Sequence, residues 1–214
     1  MNKKAKILSP ETDKSAETAA EILKSGGVII YPTETLYGIG TFATNINGNN
    51  KIFEIKKRAL GKPLLTLVKD TDMISKYFQI SDEQVQLYKK YNEFPLTIIL
   101  KQKFSFPDEL SAGTRKIGAR ISSNRFVNEL FHHIEVPLVS TSANISDQGN
   151  AEDISEIINQ FVNKVDLIID SGNLPDSKGS TVLDLTTKPP SIVREGDIGE
   201  KELKEFLIGN NQGI

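Results

Sequence analysis

A mixed α/β fold, one twisted sheet with flanking helices, is the architecture this sequence predicts, and three observations predict it. Short β-branched and aromatic runs recur along the chain, from Val28–Tyr31 to Ser191–Arg194. Amphipathic stretches long enough for helices lie between many of them. Several successive runs have no helix between them, which argues against a purely doubly wound sheet. A chain of 214 residues suits one domain, taken as 1–214 with its core at about 16–196.

In chain order, Asp13 or Ser15 can cap a helix running to Lys24, with Ala16, Ala19, Ala20 and Leu23 on one face and Gly26-Gly27 ending it. Val28-Ile-Ile-Tyr31 then reads as a strand buried on both faces, and Pro32, which has no N–H for a ladder, stops it. Thr33, Glu34, Thr35 and Tyr37 therefore stand where a strand leaves the sheet, the place where open α/β sheets bind ligands. The competing reading is a loop that caps its own strand. Gly38 and Gly40 would let the backbone approach a ligand or turn sharply. Asn45 to Asn50 reads as a polar break, with a helix starting at Asn49 or Asn50, passing through Lys56 and failing at Gly61 and Pro63.

Leu64 to Val68 is a further strand. Ser81-Asp-Glu-Gln84 is a capping-box pattern opening a helix that carries Val85, Leu87 and Tyr88. Leu96 to Leu100, Ile117 to Ile121, Val136 to Ser140, Val165 to Ile169, Thr181 to Leu185 and Ser191 to Arg194 read as strands. Arg125 to His132, Asp153 to Phe161 and Glu200 to Leu207 read as helices.

Composition excludes several chemistries. Lys and Arg number 26 against 28 Asp and Glu, a net charge of −2, so a uniformly basic nucleic-acid coat is not indicated. The absence of cysteine rules out disulfides, thiolate metal sites and cysteine nucleophiles. No long apolar segment follows the basic start Met1–Lys6, so neither a signal peptide nor a membrane span is expected, and a cytoplasmic location is. Gly38-Ile-Gly40-Thr-Phe-Ala43 imitates the dinucleotide fingerprint G-x-G-x-x-A. That fingerprint must join a strand directly to a helix, whereas Pro32 ends the strand too early and Asn45, Asn47, Gly48 and Asn50 read against a helix just after. Gly61-Lys62 runs into Pro63, so there is no P-loop. His132 and His133 are neighbours that point apart on a helix and cannot converge on a metal. No G-x-S-x-G elbow occurs.

What remains is a set of Lys, Arg, Ser, Thr and Asn at strand ends, residue types that bind phosphate and carboxylate oxygens. Lys56 and Lys57 suit a helix C-terminus, while Arg58 and Lys62 lie beyond it. Arg120 sits in an otherwise apolar strand, where a charge must be paired or face a ligand. Arg194 ends another strand. Ser140-Thr-Ser-Ala-Asn144 and Gly179-Ser-Thr181 add hydroxyls and an amide. Each alone suits a turn or ST-motif. Their recurrence at five strand ends points to one polyanion pocket.

These motifs, taken together, closely resemble the YrdC family. The matching segments are Tyr31-Pro-Thr-Glu-Thr-Leu-Tyr-Gly-Ile-Gly40, Lys56-Lys-Arg58 with Lys62-Pro-Leu64, Pro137-Leu-Val-Ser-Thr-Ser-Ala-Asn144, Ser180-Thr-Val182 and Ile192-Val-Arg194 with Gly196. The resemblance implies a YrdC-like sheet around a deep, positively charged cavity. It implies a threonylcarbamoyl-AMP synthase, a nucleotidyltransferase that joins L-threonine, bicarbonate or CO2, and ATP, releasing pyrophosphate, for the threonylcarbamoyl adenosine modification of tRNA. By motif position, Thr33, Arg120, Ser140 and Ser180 would hold threonine. Lys56, Arg58, Lys116, Ser142, Asn144 and Arg194 would hold ATP, with Lys56 and Arg58 as the catalytic pair. Mg2+ would accompany the triphosphate, with no protein ligand assigned. tRNA and the threonylcarbamoyl transferase machinery are the implied partners, and no membrane is.

The chain departs from the family pattern in places. Phe94 replaces a glycine in Pro-Gly-Pro before Thr97, Ser122 replaces the proline of Arg-x-Pro, and Ser146-Asp-Gln-Gly149 separates a serine from its glycine. Leu67 stands where some relatives carry histidine, and the C-terminal domain of longer relatives is expected to be absent. Two rival readings remain: a non-catalytic module binding tRNA or double-stranded RNA, and carbamoyl-adenylate chemistry as in hydrogenase maturation proteins. The first predicts affinity that falls steeply with salt and ignores threonine.

Overall fold

The computed structural model describes residues 4–12, 14–57, 63–91, 93–104, 106–145 and 153–203. In chain order these form β1 (Lys6–Leu8), α1 (Ser15–Lys24), β2 (Ile29–Tyr31), β3 (Gly38–Gly40), α2 (Ile46–Lys56), β4 (Leu65–Val68), α3 (Thr71–Tyr77), β5 (Phe78–Gln79) and α4 (Asp82–Lys90). There follow β6 (Leu96–Gln102), α5 (Asp108–Ser111), β7 (Lys116–Ile121), α6 (Arg125–His133), β8 (Leu138–Ser142), α7 (Ile154–Phe161), β9 (Leu167–Ile169), β10 (Thr181–Asp184) and β11 (Ser191–Arg194).

The strands make one mixed sheet in the order β1-β9-β2-β3-β8-β4-β7-β6-β10-β11, with β5 paired to β6 off this path. The pairs β1 with β9, β2 with β9, β4 with β7 and β6 with β10 are parallel, and the rest are antiparallel. β2 and β9 are buried along their whole length, as continuous apolar runs covered on both faces should be. α1 turns Ala16, Ala19, Ala20 and Leu23 inward and packs against α6. Ser81 and Gln84 close the predicted capping box of α4.

Several boundaries differ from the sequence reading, each for an identifiable reason. Lys14 precedes α1 without a side-chain cap. Ser15 instead donates to the Ser9 carbonyl and shares a short contact with Thr12, while Asp13 lies outside the described residues. α2 begins at Ile46, because Asn45 caps it by accepting from the Gly48 N–H. The asparagine and glycine cluster is therefore the first turn of a helix and no break. β8 starts after Pro137 and continues through Thr141 and Ser142, which pair with Ile39 and Gly38 of β3. Of the C-terminal helix only 200–203 is described.

β3 itself corrects the reading of Gly38 and Gly40 as a turn. Both lie in a buried antiparallel strand beside Tyr31. A Cβ on Gly40 would stand 2.2 Å from the Val139 carbonyl oxygen, and one on Gly38 would stand 2.9 Å from Ser140 Oγ. The close approach that glycine permits here is to a neighbouring strand. The dinucleotide fingerprint fails because its glycines lie inside β3 and not in the turn to a helix, although, against the sequence reading, α2 does begin soon after them at Ile46.

Candidate functional site

Two adjoining cavities open beside the ends of β2, β8 and β10. The inner one, of about 380 Å³, is walled by Gly38, Gly118, Arg120, Ser140, Ser180 and Arg194 among others. The outer one, of about 540 Å³, lies against Asn144, the N-terminus of α7 and the segment before β10. Thr35, Leu36, Tyr37, Ser142 and Lys178 line both. Arg120, Arg194 and Lys178 are the charged side chains among the described residues lining the inner cavity. Asp153, Asp176 and Asp197 line the outer one, so the combined cleft is not uniformly basic.

Arg120 is 5% exposed and reaches the floor of the inner cavity from β7. A buried charge needs a partner, and Glu34 is that partner: Arg120 Nε donates to Glu34 Oε1 at 3.0 Å and Nη2 lies 2.6 Å from the same oxygen. Nη2 also donates to Thr35 Oγ1 at 3.2 Å. The Thr33 hydroxyl donates to the Leu36 carbonyl at 2.7 Å, so the 3.1 Å contact between the two threonines has Thr35 as donor. Thr33 also accepts from the N–H groups of Thr35 and Leu36, an ST-turn that fastens the segment after Pro32. Thr33 thus lines the cavity while its hydroxyl serves its own loop.

Arg194 stands at the rim, exposed, and its Nε and Nη2 donate to the Ser180 carbonyl at 3.2 and 2.7 Å. Nη2 also reaches Ser180 Oγ at 3.0 Å, and that hydroxyl lies 2.8 Å from Thr97 Oγ1. Partial burial and, second, the charge of Arg120 lower the Arg194 pKa from its ordinary value. Two like charges therefore share this cavity, each held in place by the protein.

Lys56, the last residue of α2, is buried and donates to the carbonyls of Ser142 and Asn144, at 2.5 and 2.6 Å, and to Asn144 Oδ1 at 3.0 Å. Ser142 Oγ donates to the same amide oxygen at 2.6 Å. The structure thus brings Lys56, Ser142 and Asn144 together, with the ammonium behind the cavity lining. Lys116 shares the β7 face with Gly118 and Arg120 but is not among the lining residues. Arg58 and Lys62 lie outside the described residues, as do Ser146 to Gly149.

Glu34 and Thr35 were placed by the sequence only at the strand exit and Ser122 only as a departure from the family pattern, while Thr97 and Lys178 received no role. A buried strand arginine calls for a carboxylate, but Glu34 follows β2, with β3, β8 and β4 standing between it and β7 in the sheet, so residue order alone does not pair the two.

Fold and site together define a mixed α/β domain with an oxyanion-suited cleft at its strand ends. Residues 21–196 match the family model Sua5/YciO/YrdC, described as telomere recombination, and the chain belongs to this family. It is 36% identical over 193 residues to a Methanocaldococcus jannaschii protein named, provisionally, as a threonylcarbamoyl-AMP synthase, covering 90% of this chain and 91% of that one. It is similar to the structure of Pyrococcus abyssi Sua5 complexed with L-threonine, with a TM-score of 0.88 and 27% identity. That match covers 96% of this chain and 61% of the Pyrococcus chain, so the present chain spans under two thirds of it. Escherichia coli YciO matches with a TM-score of 0.83 and 29% identity over 94% of this chain and 98% of its own.

Proposed function

We propose that this chain is a threonylcarbamoyl-AMP synthase: L-threonine and bicarbonate supply a carbamate, whose oxygen attacks the α-phosphate of ATP and expels pyrophosphate. The observation that carries the reading is Arg120. It is nearly fully buried, lines the inner cavity, and has Nη1 without a hydrogen-bond partner among the described residues. A guanidinium nitrogen open to a cavity on an otherwise buried residue fits the carboxylate of an amino acid. Ser140 and Ser180 stand on the same walls for its hydroxyl and amine.

The adenylation step is an in-line displacement at phosphorus and needs no protein nucleophile, only placement and charge stabilisation. Arg194 at the rim, Ser142 on the wall shared by the cavities and Asn144 on the outer one would receive the nucleotide, with Lys56 holding the latter two in place. Arg58 and Lys116 join the nucleotide set on the resemblance alone. Mg2+ would arrive on the triphosphate and offset the charge of the departing pyrophosphate. The product would feed tRNA modification.

Pyrophosphate release from ATP and bicarbonate, with and without L-threonine and with L-serine as a control, tests the reading. Threonine-dependent release is expected. No release from a chain that still binds ATP would overturn it in favour of the RNA-binding module.

A further inference from the structure

The charge pair on the cavity floor is tied to the start of α6 through one hydroxyl. Asn124, the residue capping α6, sends its backbone N–H to Ser122 Oγ at 3.2 Å. That donor occupies a lone pair of the hydroxyl, so the hydroxyl's own proton is directed elsewhere, and it goes to Glu34 Oε2 at 2.5 Å. Oε1 of the same carboxylate accepts from Arg120 Nε and forms the ion pair with Nη2, which donates to Thr35 Oγ1. Two of the three guanidinium nitrogens are thereby committed, and a planar group held at two nitrogens has one orientation.

The geometry points to Glu34 and Ser122 as positioning residues that aim Arg120, leaving Nη1 alone to meet the carboxylate of a bound amino acid. The inference rests on the threonine reading above and adds the residues that set its geometry. The contact to the ligand is end-on through one nitrogen, because Nε is taken by Glu34 and Nη2 by Glu34 and Thr35, which leaves neither two-pronged edge of the guanidinium open. Ser122 is 3% exposed, so its charge-assisted bond to Glu34 is shielded from water, and the Asn124 N–H at the α6 cap orients the hydroxyl that makes it.

The test uses the full chain with Ser122→Ala, Ser122→Thr and Glu34→Gln. Pyrophosphate release is followed against L-threonine and separately against ATP, and melting temperature is recorded for each variant. Ser122→Ala is expected to raise KM for L-threonine about three- to tenfold, with KM for ATP held within about twofold. Ser122→Thr keeps the hydroxyl and should return the threonine KM towards that of the unmodified chain. Glu34→Gln offers one acceptor oxygen in place of two and should raise the threonine KM by about tenfold or more. Should Glu34→Gln fail to fold, the Ser122 pair decides the matter alone.

A lowered melting temperature with the threonine KM unchanged, or both KM values rising together, would make the relay a structural brace and overturn the inference by itself. An unmodified chain whose pyrophosphate release ignores threonine would overturn the threonine reading and this inference with it.

Discussion

Arg120 and Arg194 reach the same cavity from β7 and β11 and are held in opposite ways. Arg120 is buried on the floor and its charge is met by a carboxylate. Arg194 is exposed at the rim and is held by a neutral carbonyl and hydroxyl. The first arrangement offsets the cost of burial inside the protein and fixes geometry, which suits recognition of a small ligand in one pose. The second keeps a charge near solvent with no carboxylate paired to it among the described residues, which suits a polyanion arriving from outside. Placement of a ligand and attraction of a ligand are thus assigned to different arginines.

Removing Arg120 should have the largest effect. Arg120→Ala is expected to cut kcat/KM for threonine by about a hundredfold or more and to lower stability by roughly 3 kcal/mol, because Glu34 loses its partner. Thermal unfolding and threonine-dependent pyrophosphate release check both halves. Replacing the pair together, Arg120→Met with Glu34→Leu, sharpens the contrast: stability should return to within about 1 kcal/mol of the unmodified chain while threonine use stays lost.

Arg194→Ala comes next, with KM for ATP raised about tenfold and stability lowered by no more than about 1 kcal/mol. Its defect should shrink as salt rises, since the interaction is exposed and screened, whereas the Arg120→Ala defect should not. An equal salt response in the two variants would break the distinction. Ser180→Ala removes the hydroxyl shared by Thr97 and Arg194 and should cost about 1 kcal/mol, seen as a change of roughly fivefold in rate constants.

The smallest effect belongs to Tyr37, on the wall between the cavities. Its hydroxyl donates to the Gly172 carbonyl at 2.7 Å and accepts from the Ser171 N–H at 2.8 Å. Burial pushes its pKa from 10.0 to about 12, so the folded chain favours the neutral phenol. That stabilisation is complete below pH 10 and is lost as pH rises towards 12. In Tyr37→Phe the alkaline decline in melting temperature over that range should be shallower.

Much of this was legible from residue order. The run Val28–Tyr31 with Pro32 after it marks β2 because burial on both faces demands unbroken apolarity and proline ends a ladder. Arg120 stood out as a charge in an apolar strand. Its partner did not, because Glu34 lies 86 residues away and only strand register brings the two together. β3 was hidden for the opposite reason: Gly-Ile-Gly reads as a turn, and only the crowding against Val139 and Ser140 makes glycine a requirement of a strand. The start of α2 was missed because asparagine both breaks and caps helices, and Asn45 here caps. The commitment of the Thr33 hydroxyl to its own loop could not be read before the loop's path was known.

The walls of the inner cavity include Thr33, close to the start of the chain, and also Ser180 and Arg194, which arrive with β10 and β11 near its end. A chain emerging from a ribosome can assemble the Arg120 pair early, since Glu34, Thr35 and Ser122 are already made. It cannot enclose the cavity until β10 has docked along β6. Until then Ser180 and Arg194 are both missing, so neither the proposed threonine set nor the proposed nucleotide set is complete before the last strands are made.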